Sequence, residues 1–157
     1  MKVKKICIKA LCASLCLFFF SCASTPEKKI DSAYVMVYDY ENSEVMNVTI
    51  LIDGETAGNT DIYGRLMFPC EKEREVLIKA SKNGYESVET KSVINSGTVI
   101  YFKMGSGSYY ASKAEKLLDD CDAINATRMI DKALEIEERK DWRYLQEIIL
   151  KEKKKDE

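Results

Sequence analysis

The residue pattern predicts a mainly β domain followed by helices: a small antiparallel β-sandwich, then a two- to three-helix hairpin. Three observations predict it. From Ala33 to Met104 apolar side chains recur with period two between turn signals. Asp53-Gly54 and Asn83-Gly84 are hairpin-type pairs, because Asn, Asp and Gly all tolerate positive φ. From Tyr109 onward the apolar period lengthens to 3.6.

Taken in order, the chain opens with Lys2, Lys4 and Lys5, continues with an apolar core from Ala10 to Phe20, and reaches Ser21-Cys22. A basic start, an apolar stretch too short to span a bilayer and a small residue make a secretory signal. Its ending resembles the lipobox of bacterial lipoproteins, although Phe19 and Phe20 stand where that family has Leu and a small residue. The resemblance implies that Cys22 is lipidated and becomes the mature N-terminus, anchoring the protein in the bacterial envelope and facing the periplasm or the surface. Ala23 stands where the family's inner-membrane retention signal has Asp, which favours the outer membrane. The polar residues 23–32 then read as a tether.

The first strand, Ala33 to Tyr40, is β-branched and aromatic. Val35 and Val37 face the core, which leaves Tyr34, Met36, Tyr38 and Tyr40 as a row on the opposite face. Val45 to Ile52 sets Met46, Val48, Ile50 and Ile52 on one face. Leu66 and Phe68 alternate in the next strand, Val76, Ile78 and Ala80 in the one after, and 85–94 and 98–104 complete the set.

Val48-Thr-Ile-Leu-Ile-Asp-Gly-Glu55, Gly58-Asn-Thr-Asp61, Tyr63-Gly64-Arg65 and Gly84-Tyr85 follow one another in a spacing similar to that of the PEGA and carboxypeptidase-regulatory-like β-sandwiches. Thr60-Asp61, where PEGA domains carry Thr-Pro, tilts the likeness to the regulatory-like branch. The resemblance implies a transthyretin-like sandwich without catalytic activity.

Gly105-Ser-Gly-Ser108 reads as a flexible linker. Tyr110, Ala114, Leu117, Leu118 and Cys121 then share a helical face, with Ser112 and Glu115 at capping-box spacing. A second helix carries Ala126, Met129, Ile130, Ala133 and Leu134. Asp141 caps a third with Trp142, Leu145, Ile148 and Ile149, and a basic tail, Lys151 to Lys155, ends it. The first two helices resemble one tetratricopeptide unit, with Lys113 and Glu138 departing from the family's Leu and Pro. A unit and a half cannot bury its own face, so residues 109–157 are expected to pack on the sandwich or against a partner.

The chain has no histidine, which removes Ser-His-Asp and Cys-His pairs and every His-containing zinc site. Its 24 basic side chains face 26 acidic ones, and Lys2, Lys4, Lys5 and Lys9 would be lost with the signal. The resulting acidic balance argues against nucleic acid as a partner. Cys7, Cys12, Cys16 and Cys22 belong to the signal, leaving Cys70 and Cys121, which either pair in an oxidising compartment or remain separate thiols.

Asn59 to Gly64 has the spacing of a calcium loop, but Tyr63 occupies a ligand position and Cys70 stands in place of its bidentate Glu. A turn held by Asn and Asp side chains accounts for it better. Asp119, Asp120 and Asp122 read as a solvated charge run, and Gly105-x-Gly107 lacks the third glycine of a nucleotide loop. No catalytic residue, metal site or cofactor is expected. For the tyrosine row the leading expectation is cover by the C-terminal helices, followed by protein docking and then by stacking on cell-wall glycan. The function expected is therefore a non-enzymatic interaction or scaffold module, held at the membrane through the lipid on Cys22 and contacting an envelope protein. Peptidoglycan is the alternative partner, and an enzyme working without histidine comes last.

Overall fold

The structure, a computed structural model, describes residues 31–156. The signal with Cys22 and most of the tether lie outside the described residues. Seven strands come first: β1 (Ser32–Tyr38), β2 (Thr49–Ile52), β3 (Glu55–Asn59), β4 (Arg65–Pro69), β5 (Arg74–Ser81), β6 (Val88–Ile94) and β7 (Val99–Lys103). They form a three-stranded sheet, β4-β1-β7, and a four-stranded sheet, β3-β2-β5-β6. Period-two alternation turns Val35 and Val37 of β1, Ile50 and Ile52 of β2, Val76 and Ile78 of β5 and Phe102 of β7 into one shared core. The sandwich is as expected, with one difference. β1 and β7 run parallel, because β7 returns to β1 only after the chain has laid down the opposite sheet.

Asn47 sits at φ 55°, which breaks the expected strand from Val45 to Ile52. Val45 and Val48 are both buried and Met46 turns out to solvent, so only Thr49–Ile52 pairs as a strand. Asp53 (φ 52°) and Gly54 (φ 87°) make the expected two-residue hairpin. Asp53 further accepts from the Leu77 amide at 2.9 Å and pairs with Arg74 at 3.0 Å. β3 carries no alternation, since its side chains are mostly exposed, and it is held by its ladder to β2.

Between β3 and β4 the segment 60–65 is a compact turn. The buried Thr60 hydroxyl accepts from the Val48 amide at 2.9 Å and donates to the Val45 carbonyl at 2.8 Å. Asp61 Oδ1 accepts from the amides of Tyr63 and Arg65, both at 2.9 Å. Gly64 (φ 69°) lies so close to β1 that a Cβ there would stand 2.4 Å from the Val37 carbonyl oxygen.

Three helices follow among the described residues: α1 (Gly107–Asp119), α2 (Ala123–Ile136) and α3 (Lys140–Asp156). The Ser106 hydroxyl caps α1 by accepting from the Tyr109 amide at 3.0 Å, so the helix starts ahead of the Ser112–Glu115 box. Gly105 to Ser108 is therefore not a linker. Gly105 and Gly107 are both buried, and a Cβ on them would stand 2.4 Å from the Tyr110 ring and 2.7 Å from the Trp142 ring respectively. Their small size serves close packing. Tyr110, Ala114, Ala126, Ile130, Ala133, Trp142 and Ile149 form a second core, separate from that of the sandwich. The composite core expected of the helices and the tyrosine row is not what forms.

Candidate functional site

Alternation along β1 sends Tyr34, Met36 and Tyr38 to the outer face of the three-stranded sheet, while Ala33, Val35 and Val37 are fully buried. The register fixes their neighbours. Tyr34 lies opposite Met67 on β4 and Val99 on β7, and Met36 opposite Arg65 and Tyr101. Tyr34, Met67, Val99 and Tyr101 are 38%, 59%, 41% and 66% exposed, and a shallow groove of about 480 Å³ is lined by Tyr34, Met36, Met67 and Val99 together with the charged pair Asp61 and Arg65. The four expected residues thus separate. Tyr34 and Met36 sit in this apolar face, whereas Tyr38 is half-buried, lying opposite Lys103 and bridged to Glu44.

Tyr40 leaves the sheet and joins the helices. Its ring stacks on Tyr109 with centroids 5.2 Å apart and meets Tyr110 edge-on at 6.3 Å. Glu86 is the centre of this junction. It accepts from the Gly105 amide at 2.7 Å and the Tyr110 hydroxyl at 2.8 Å, and pairs with Lys132 at 2.6 Å. Burial pushes its carboxyl up, but Lys132, the Gly105 amide and the hydroxyls of Tyr110 and Tyr40 outweigh that and hold it below the usual range. Burial, then hydrogen bonding among the three groups, pushes the Tyr40 phenol up; for Tyr110, burial and Glu86 act in the same direction. The backbone also joins the two parts: Gly107 donates to the Gly84 carbonyl at 3.0 Å and Glu86 to that of Gly105 at 2.9 Å. These polar groups bond to one another, which makes the junction a clamp.

Residue reading missed Met67, Val99, Tyr101 and Glu86. The first three had a signal: Leu66-Met-Phe68 and Ile100-Tyr-Phe102 are apolar on both faces, so one side had to stay outside. Glu86 had none, since its partners lie 19 to 46 residues along the chain.

Cys70 is a free thiol in the sandwich core, and Cys121 is a free, exposed thiol in the α1–α2 turn at φ 60°. The pairing entertained for them is not formed, because one belongs to the sandwich and the other faces solvent on the helical hairpin. Asp122 caps α2 by accepting from the Asn125 amide at 3.1 Å. The Asn125 side chain and then its amide hold that carboxyl below the usual range. Asp119 and Asp120 are exposed at the end of α1. Among the described residues no helix is long and apolar enough to cross a membrane.

No family model and no curated protein matches the chain. Among solved structures it is similar over 48% of its length to the TIE protein of Bacillus anthracis (13% identity, TM-score 0.41). It is similar over 52% to a 3-chlorocatechol 1,2-dioxygenase of Rhodococcus opacus (14%, 0.35) and over 48% to the major pilin subunit of Bacillus cereus (14%, 0.36). The matches span 16%, 62% and 28% of those chains respectively. The fold of this chain is a β-sandwich of two sheets followed by helices.

Proposed function

We propose that this protein is an envelope lipoprotein anchored through Cys22, a non-catalytic module of the PEGA or regulatory-like kind that holds a partner protein near the membrane. The observation that carries this reading is the apolar outer face of Tyr34, Met36, Met67, Val99 and Tyr101 on a rigid sheet. Contiguous exposed apolar surface marks an interaction site, and Tyr and Met are enriched in interface cores. The clamp at Glu86 adds to it, because a fixed helical unit presents a second surface at a constant angle. A lipid anchor supplies effective concentration, so the face works without high intrinsic affinity.

The test is crosslinking in the native envelope with labelled fatty acid, comparing wild type, Cys22→Ser and Met67→Asp/Tyr101→Ser. The proposal expects loss of label in the first variant. In the second it expects label retained and specific protein crosslinks lost. Crosslinks that survive the double substitution would overturn the docking face, and label on Cys22→Ser would overturn the anchor.

A further inference from the structure

We propose that the outer edge of β7 pairs with β7 of a second copy of this chain, antiparallel about a two-fold axis at Tyr101, so that two anchored chains share one continuous sheet. The inference rests on the anchor proposed above for local concentration alone.

The ladder decides which backbone groups are free. The Tyr34 amide donates to the Thr98 carbonyl at 2.8 Å and the Met104 amide to the Tyr38 carbonyl at 3.0 Å. In a parallel pair this phase turns the backbone of residues 98, 100, 102 and 104 to β1 and that of Val99, Tyr101 and Lys103 outward. β7 ends its sheet, so among the described residues these N–H and C=O groups face no partner strand.

The other edges carry features that discourage pairing. β6 presents the exposed charges Glu89 and Lys91, and β4 opens on Arg65 and closes on Pro69. The β2–β3 ladder shifts register between Ile50 and Leu51. Charge, proline and bulges are what keep an edge from accepting another strand. β7, Val99-Ile-Tyr-Phe-Lys103, has none of them until its last residue. The apolar face follows the same asymmetry: the Asp61–Arg65 pair bounds it on the β4 side, and at β7 it runs to the edge through Val99 and Tyr101.

This edge is its own complement. With Tyr101 opposite Tyr101 of the second copy, Val99 of each chain falls opposite Lys103 of the other, and every facing pair exchanges both of its backbone bonds. The two tyrosine rings meet across the axis, and each lysine stem lies along a valine. Parallel pairing would set Lys103 beside Lys103. The antiparallel arrangement sends the two lysines to opposite ends, each toward the other chain's 95–98 turn, where Asp31 accepts from the Ser96 hydroxyl at 3.1 Å. Two-fold symmetry supplies this match without a second sequence.

Three edge residues a side are few beside the roughly 20–30 of a stable interface, so the pair forms where an anchor concentrates the chains and not in dilute solution. Pairing joins the two apolar faces into one symmetric surface.

The test is thiol crosslinking of the full chain in its native envelope with a short bis-maleimide. Cys121→Ser removes the native exposed thiol, and Tyr101→Cys or Val93→Cys places a new one on the β7 or the β6 edge. Expected is a crosslinked dimer of the Tyr101→Cys chain and none of the Val93→Cys chain. Adding Val99→Lys sets like charges opposite each other and should lower the dimer yield about fivefold, and Val99→Lys with Lys103→Glu should restore it. Met67→Asp, which removes the partner-docking face proposed above, should leave the dimer intact, and labelled fatty acid on the same chains reports the anchor separately. No dimer from Tyr101→Cys, equal yields from Val93→Cys, or no recovery in the charge-exchanged chain would each overturn the pairing.

Discussion

Thr60 and Asp61 show how two adjacent residues organise a turn at different ranges. Asp61 acts within five residues: the Arg65 amide first, with the Tyr63 amide and the Arg65 guanidinium behind it, holds its carboxyl below the usual range. A depressed folded-state value means that the ionised group stabilises the fold above the ordinary carboxylate range, and that this is lost as pH falls through the depressed value. Asp61→Asn should therefore be less stable than wild type at pH 7 and should lose less stability below about pH 4. Urea midpoints at pH 7 and pH 3 check this, and parallel losses in both proteins would contradict it. The asymmetry of the pair also explains what residue reading could recover. The Asp61 turn and the Gly64 requirement are local, so Asn59-Thr-Asp-Ile-Tyr-Gly64 was legible as a turn. The Thr60 bonds to Val48 and Val45 reach back 12 and 15 residues, and no local pattern encodes them.

At the scale of elements, alternation located strands where a regular core face existed, and failed before Thr49, where positive φ at Asn47 breaks the period, and along β3, which has no core face. β5, with Val76, Ile78 and Ala80 inward, was legible in full. β3 was not, because an exposed edge strand needs no alternation. The start of α1 was misread for a related reason: two glycines signal flexibility by composition, yet here they are the contact surface for two aromatic rings. Gly107→Ala separates these meanings. Helix propensity alone predicts a gain of about 1 kcal/mol. The added Cβ would stand 2.7 Å from the buried Trp142 ring, and overpacking costs about 1–3 kcal/mol. Packing outweighs propensity, so urea denaturation should show a net loss of about 1 kcal/mol. A variant as stable as wild type would restore the linker reading.

For the molecule as a whole, the two cores and the clamp determine what each part can do alone. The sandwich core closes without a helical residue, since its members run from Ala33 to Met104. The helices bury a core of their own, but it contains four alanines and is carried by three helices, which is marginal for so short a chain. Stability should therefore flow one way, from the sandwich through Glu86, Tyr110 and the Gly105 amide into the helices. Residues 31–105 are expected to stay folded and monomeric, with dispersed amide resonances and an apolar face still exposed at Tyr34 and Tyr101. Residues 107–156 alone should lose most of their helical circular dichroism. In the intact chain, Glu86→Ala removes the acceptor shared by Tyr110 and Gly105 and should melt the helices ahead of the strands, dividing one unfolding transition into two. An aggregating 31–105 fragment would mean that the helices shield apolar surface after all. A single transition in Glu86→Ala would mean that the parts are coupled by something other than the clamp.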